Sequence, residues 1–231
     1  MANEDDVLEF QSLKPWLGSF LNLDKPRRVT QSANEKEKFS LNAETDDEQE
    51  IARFKAAVMT CAREKWPQLD VGAAIAAGRF AVPLLDGTKL ADKAIADNEN
   101  AAHKNFKKNK LREWSRGKQV LTARSEFFPP VTIIENGQVV VLEDPASVGR
   151  VRNKFFFTGA NILFAVKLNA YDAVGPNGLP GVNAYLRAVE GTGTGTPLIA
   201  RRDPTERFSH YRGLATQEDP TREPATADSD W

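Results

Sequence analysis

The stretch 154–171, KFFFTGANILFAVKLNAY, decides how the fold is read, because apolar residues recur in it with a period of two. Successive side chains of a strand point to opposite faces. The even positions Phe156, Thr158, Ala160, Ile162, Phe164, Val166 and Leu168 form a nearly continuous apolar face. The odd positions carry Phe155, Phe157, Gly159, Asn161, Lys167 and Tyr171 among smaller residues. A long strand, bent at Gly159, then buries the even set inside a small barrel and turns the odd set outward. Aromatic rings and amides on an outward face, led in by Arg150, Arg152 and Lys154, suit base stacking with phosphate contacts. Two alternatives stand beside this reading: another element covers Phe155 and Phe157, or a bulge at Gly159 swaps the faces.

Outward from this strand the chain reads as mainly β. Phe39 to Ala43 alternates apolar and polar residues. Leu13 to Leu23 reads as an edge strand ending at Lys25-Pro26, since proline cannot donate to a ladder. Val120 to Phe128 is a strand stopped by Pro129-Pro130. Val131 to Leu142 is a hairpin turning at Asn136-Gly137, residues that tolerate positive φ. Leu84-Leu85-Asp86-Gly87 reads as a strand end with a tight turn. Val182 to Val189 is a returning strand after the loop Gly175 to Gly181. One main helix lies between early strands, opened by Glu44 to Glu50 with Thr45 or Asp46 as N-cap. It carries Ile51, Phe54, Ala57 or Val58, and Cys61 on its apolar stripe and ends near Trp66, before Pro67. Ala91 to Arg116 reads as a charged, partly helical excursion.

The net charge of −1 conceals two opposed blocks. From His103 to Arg124 eight cations face one acid, Glu113, a net of +7, with Phe106 and Trp114 set among them. From Gln217 to Trp231 five acids face Arg222, a net of −4, and the chain ends Asp228-Ser229-Asp230-Trp231. Such asymmetry points to a polyanion-binding body with an acidic tail. The tail either competes with a nucleic acid for the basic surface or offers Trp231 to a partner's pocket.

Catalysis finds little material. Cys61 is the only cysteine and His103 and His210 the only histidines, so a Cys-based metal cluster is excluded. No Ser-His-Asp order, His-Glu-x-x-His or phosphate-loop lysine occurs. The run Gly191 to Thr196 lacks the Gly-Lys-Ser/Thr that a phosphate loop requires and reads as a flexible connector. Cys61, on the apolar stripe, reads as a buried structural residue. No apolar run is long enough for a bilayer, and the acidic N-terminus does not resemble a signal peptide.

Taken together, several segments resemble the phage single-stranded DNA-binding proteins of the Enc34 type. They are Leu23-Asp24-Lys25-Pro26, the helix Phe54 to Trp66, Pro83-Leu84-Leu85-Asp86-Gly87, Ala123-Arg124-Ser125 with Pro130-Val131, Phe157-Thr158-Gly159-Ala160, Ala170-Tyr171-Asp172 and Gly181-Val182-Asn183. The resemblance implies an OB fold, binding of single strands without sequence preference, and a role in phage replication or recombination in the host cytoplasm.

The expectations are therefore these. The fold is an OB-like five-stranded barrel with one main helix. Residues 1–12 are a frayed N-terminus, 13–214 the binding domain with a basic insertion at 89–118, and 215–231 a disordered acidic tail. The DNA-contacting set comprises Lys25, Arg124, Phe128, Arg152, Lys154, Phe155, Phe157, Asn161, Lys167 and Tyr171. A clamp of Lys104, Lys107, Lys108, Lys110, Arg112, Trp114 and Arg116 flanks it. Phe127 and Phe128 point opposite ways, one into the core and one toward DNA; alternation does not decide which, and Phe128, in phase with Arg124, enters the set. Asp228, Asp230 and Trp231 are the partner-binding tail. The partners are single-stranded DNA, duplex DNA more weakly, replication proteins at the tail and a second copy in a homodimer. No membrane, cofactor, metal or catalytic residue is expected. The competing reading is a phage adaptor with incidental DNA binding.

Overall fold

A computed structural model describes residues 8–28, 36–100, 112–173 and 178–198. The chain divides into Met1–Leu198 and Ile199–Trp231, and the second unit lies outside the described residues. So do Lys104, Phe106, Lys107, Lys108, Lys110 and the tail residues Asp228, Asp230 and Trp231.

The fold is mainly β. Among the described residues nine strands belong to one sheet: β1 (Glu9–Gln11), β2 (Trp16–Arg27), β3 (Lys38–Thr45), β4 (Leu84–Asp86), β5 (Gln119–Ser125), β6 (Val131–Glu135), β7 (Gln138–Leu142), β8 (Ala160–Tyr171) and β9 (Gly181–Gly195). Four α-helices accompany them among the described residues: α1 (Glu48–Lys65), α2 (Val71–Ala76), α3 (Gly87–Asn100) and α4 (Pro145–Phe155). Five strands close on themselves. β8 pairs with β2, β2 with β3 and β3 with β5, all antiparallel. β5 meets β9 in parallel, and β9 returns to β8 antiparallel. This order and these strand senses are OB-like.

The seam of the ring lies between β5 and β9, which share the single pair Arg124–Tyr185. The segment Ala81 to Asp86 occupies the space below that pair. β4 runs antiparallel to β5 from Leu84–Leu121 to Asp86–Gln119. Val182 N–H donates to the Ala81 carbonyl at 3.0 Å and Thr122 N–H to the Pro83 carbonyl at 3.1 Å. The expected turn at Leu84 to Gly87 is thus a strand feeding straight into α3. The Asp86 carboxylate accepts from Thr88 and Lys89 N–H at 2.8 and 3.2 Å.

In β3 and β8 the expected alternation holds. Phe39, Leu41 and Ala43 of β3 are buried, as are Ile162, Phe164, Val166 and Leu168 of β8. The β6–β7 hairpin turns at Asn136 and Gly137, with φ of 53° and 76°. α1 begins one residue later than expected. Its N-cap is Asp47, whose carboxylate accepts from Gln49 and Glu50 N–H. The Lys14 ammonium first of all, and the backbone donors with it, hold that carboxylate below its ordinary pKa. Phe54, Val58 and Cys61 are buried on α1, and burial pushes the Cys61 thiol up. Glu50, also buried, accepts from the Trp16 indole N–H at 3.2 Å and so ties α1 to β2.

Four expectations are corrected. β2 is no edge strand: it pairs with β3 on one side and β8 on the other. It passes through Pro26 because the register slips between Asn22 and Arg27, where no ladder donor is needed. The expected frayed N-terminus contains β1, whose Phe10 ring packs edge-on against Phe54 at 4.8 Å. Residues 154–159 are not strand. α4, capped by Asp144 and opened by Pro145 at N1, runs to Phe155, and β8 starts only at Ala160. Proline in the first turn of a helix is favoured because its missing N–H has no partner there anyway.

The fourth correction concerns the glycine-threonine run, which is the end of β9 rather than a connector. A Cβ on Gly191 would stand 3.0 Å from Phe155 Cβ and from the Phe156 ring. Gly193 and Gly195 adopt φ of 71° and 122°, and a Cβ on Gly195 would meet the Gly159 carbonyl at 2.3 Å. The glycines let β9 pass directly over the helix-to-strand corner at 155–160. Gly191→Val should therefore cost about 1–3 kcal/mol by overpacking. Urea unfolding checks this: the midpoint falls while the slope stays unchanged.

Candidate nucleic-acid interface

Register aligns a row of outward positions across the ring. Asn22 on β2 lies opposite Ser40 on β3, Ser40 opposite Arg124 on β5, Arg124 opposite Tyr185 on β9, and Tyr185 opposite Lys167 on β8. Neighbours of these residues along their strands face the core: Leu41, Ala123, Ala184, Leu186, Val166 and Leu168 are buried, while Ser125 at the end of β5 is half-buried. Tyr185 is 43% exposed in the middle of the row. The side chains of Arg124 and Lys167 make no hydrogen bond or ion pair with another described residue, although Glu9 on β1 lies opposite Lys167.

Beside the row, the gap at the β5–β9 seam opens into a groove of about 290 Å³. Lys38, Pro83, Thr122, Arg124, Tyr171, Asn183 and Tyr185 line it. The groove exists because the segment 81–86 holds β9 away from most of β5. Lys38 pairs with Glu126 at 3.4 Å, a carboxyl that Lys36 first of all, and Lys38 with it, holds below its ordinary pKa. Two phenol rings, an arginine, a lysine and an asparagine along an open groove can stack bases and contact phosphates without selecting a sequence.

Of the expected set, Arg124, Lys167 and Tyr171 come together here. Others are placed elsewhere. Phe155 is 1% exposed; it closes α4 against β9 and cannot present its ring outward. Phe157 is half-buried in the turn before β8, with its carbonyl accepting from Ala160 N–H. Asn161 does lie on the outward face, but it donates to Thr194 at 3.1 Å. It stands six residues along β8 from Lys167, about 20 Å at strand rise. Arg152 is held by Asp24 at 2.7 Å and joins α4 to β2. Lys154 pairs with Glu135 at 2.7 Å and lies over the Phe155 ring. Lys25 is exposed on the bulged part of β2.

Phe128 packs edge-on against buried Phe39 at 5.5 Å, whereas Phe127 is 82% exposed. The exposed ring of the pair is thus Phe127, not the one carried into the expected set. In the clamp, Arg116 is bound by Asp92 and Glu113, each at 2.7 Å, and these carboxylates raise its pKa. Trp114 is half-buried with its indole N–H enclosed. Arg112 stacks over the outward Phe20 ring at 4.7 Å. Burial lowers its pKa, with Glu44 opposing.

Sequence reasoning passed over Tyr185, Asn183 and Lys38. The signal for the first two was present: in Val182 to Leu186 the apolar residues alternate with Asn183 and Tyr185.

Among the described residues no group of three or more His, Cys, Asp or Glu gathers at metal-binding distance. No described helix is long and apolar enough to cross a membrane.

No family model matches the chain, and no curated protein sequence matches it. In structure it is similar to phage single-stranded DNA-binding proteins. The single-stranded DNA-binding protein from bacteriophage Enc34, in a C-terminally truncated form, superposes with a TM-score of 0.54 at 16% identity, over 83% of this chain and 88% of that one. The same phage protein in complex with single-stranded DNA gives 0.52 at 15% identity, over 83% and 90%. Gp2.5, a single-stranded DNA-binding protein encoded by bacteriophage T7, gives 0.50 at 12% identity, over 88% and 99%. The likeness is one of fold, over most of the chain, and agrees with the mainly β architecture expected from the sequence.

Proposed function

We propose that the protein binds single-stranded DNA without sequence preference, along the outward face of β3, β5, β9 and β8, in support of phage replication or recombination. The observation that carries this reading is the row Ser40–Arg124–Tyr185–Lys167. It sets an exposed ring between two cations whose side chains make no hydrogen bond or ion pair among the described residues. Phosphate neutralisation releases counterions whatever the sequence, and any base has a face to stack. The described structural neighbours bind single-stranded DNA by their own descriptions, which supports the reading. The acidic end Gln217 to Trp231 acts as a competing polyanion; its removal takes the formal charge from −1 to +3.

A fluorescence-anisotropy titration with short labelled oligonucleotides tests the proposal. Mixed-sequence strands should bind alike and more tightly than duplex. With three phosphates neutralised by Lys38, Arg124 and Lys167, the log–log salt slope is about −2. Chain lacking residues 217–231 should bind more tightly at low salt. Absence of binding at low salt, in both forms, rejects the function.

A further inference from the structure

β7 is an end strand of the sheet: one edge pairs with β6 and the other with no described strand. Its sequence is Gln138-Val139-Val140-Val141-Leu142, with no charge, proline or glycine. Val139 is 64% exposed, Val141 63% and Val140 39%, and Ile134 beside Val139 is 37% exposed. Proteins ordinarily guard such an edge with lysine, proline or a bulge, because its free N–H and C=O groups are a template for another strand. This edge is unguarded and apolar.

The register says which groups are free. The two-residue turn makes Glu135–Gln138 the hydrogen-bonded pair that closes the hairpin. Alternation along the ladder then makes Ile133–Val140 hydrogen-bonded and leaves Ile134–Val139 and Thr132–Val141 as the non-hydrogen-bonded pairs. The N–H and C=O groups of Val139 and Val141 therefore point away from β6. A two-fold axis through Val140 sets Val139 of one copy opposite Val141 of the other, twice. Both pairs exchange N–H and C=O, and the valine side chains meet across the axis. The strand is thus self-complementary, as a two-fold interface requires. The chain's own acidic end suits the edge poorly, with Pro220, Pro224 and five acids.

We infer that a second copy of this chain pairs along β7, antiparallel about Val140, joining two sheets into one. A five-residue strand pair buries far less than a standard stable interface, so the free dimer is weak. Two copies on one DNA strand raise each other's effective concentration, so DNA strengthens the pairing. That last step rests on the function proposed above; the pairing itself does not.

Sedimentation velocity over a concentration series, with and without a two-site-length oligonucleotide, tests the inference. Wild type should show concentration-dependent dimer, and the double substitution Val139→Lys/Val141→Lys, at two exposed positions, should shift its midpoint at least tenfold upward. That variant should bind a one-site oligonucleotide like wild type. Val140→Cys should cross-link under mild oxidation, since the Cα atoms of a non-hydrogen-bonded pair lie about 4.5 Å apart. Leu13→Cys, 70% exposed away from β7, should not, and the native Cys61 is buried.

Equal association of wild type and lysine variant overturns the pairing, as does a wild type that stays monomeric in every condition. Equal cross-linking of the two cysteine variants also overturns it. Loss of one-site binding in the lysine variant would instead assign β7 to the DNA surface and likewise overturn it. If wild type dimerises through β7 yet binds no oligonucleotide, the pairing stands and the proposed function fails.

Discussion

Phe155→Ala is expected to lower the unfolding free energy by about 3–5 kcal/mol, the usual cost of emptying a buried phenylalanine site. Phe155 is 1% exposed, and Gly191 and Gly193 lie against its ring and Cβ. Glycines cannot lean inward to refill the space, which places the cost toward the upper part of that range. Denaturant unfolding measures the loss. If Phe155 stacked on DNA instead, the variant would keep its stability and lose affinity. The same experiment therefore separates a core residue from a binding residue. Below the unfolding transition, one-site oligonucleotide affinity should stay close to wild type, because Phe155 lies far along β9 from Tyr185.

The second large effect concerns Tyr185. Removing a base-stacking ring costs about 1–3 kcal/mol, so Tyr185→Ala should weaken oligonucleotide binding about 5- to 150-fold. Tyr185→Phe keeps the ring and should recover most of that loss. Arg124→Ala acts differently: it removes a phosphate contact, and the salt slope falls by about 0.7. The two residues face each other across the seam, so their effects should couple rather than add. Melting temperatures should move little, since both side chains project from the outer face. An unchanged affinity in Tyr185→Ala and in the double variant places the DNA path elsewhere.

The contrast between Phe155 and Tyr185 shows how much of the site was legible. Both sit in segments with alternating patterns, and only one belongs to a strand there. Three consecutive phenylalanines supply an apolar residue to any period, so 154–159 fits a strand or the end of a helix equally well. The Asp144-Pro145 start decides for a helix, and that signal lies ten residues upstream. In 182–186 the polar residues Asn183 and Tyr185 break the apolar run at every second position, which only a strand satisfies. Lys154 and Arg152 show a second gap. A cation in the sequence carries no mark of its partner, and Glu135 and Asp24 are distant along the chain.

The stretch 154–171 determined by itself that Ile162, Phe164, Val166 and Leu168 face a core and that Lys167 and Tyr171 face away from it. It did so because a two-residue period divides the residues of an unbroken strand into two faces, and only one of these sets is apolar throughout. With β3, the β6–β7 turn and α1 read the same way, a mainly β, ring-forming chain was determined as well. Only the tertiary structure decided which outward residues stand side by side. Neighbourhood across a sheet depends on strand order and register, and these are set by contacts between residues far apart in sequence. The row through Arg124, Tyr185 and Lys167, the groove held open by Ala81 to Asp86, and the burial of Phe155 beneath Gly191 and Gly193 all arise at that level.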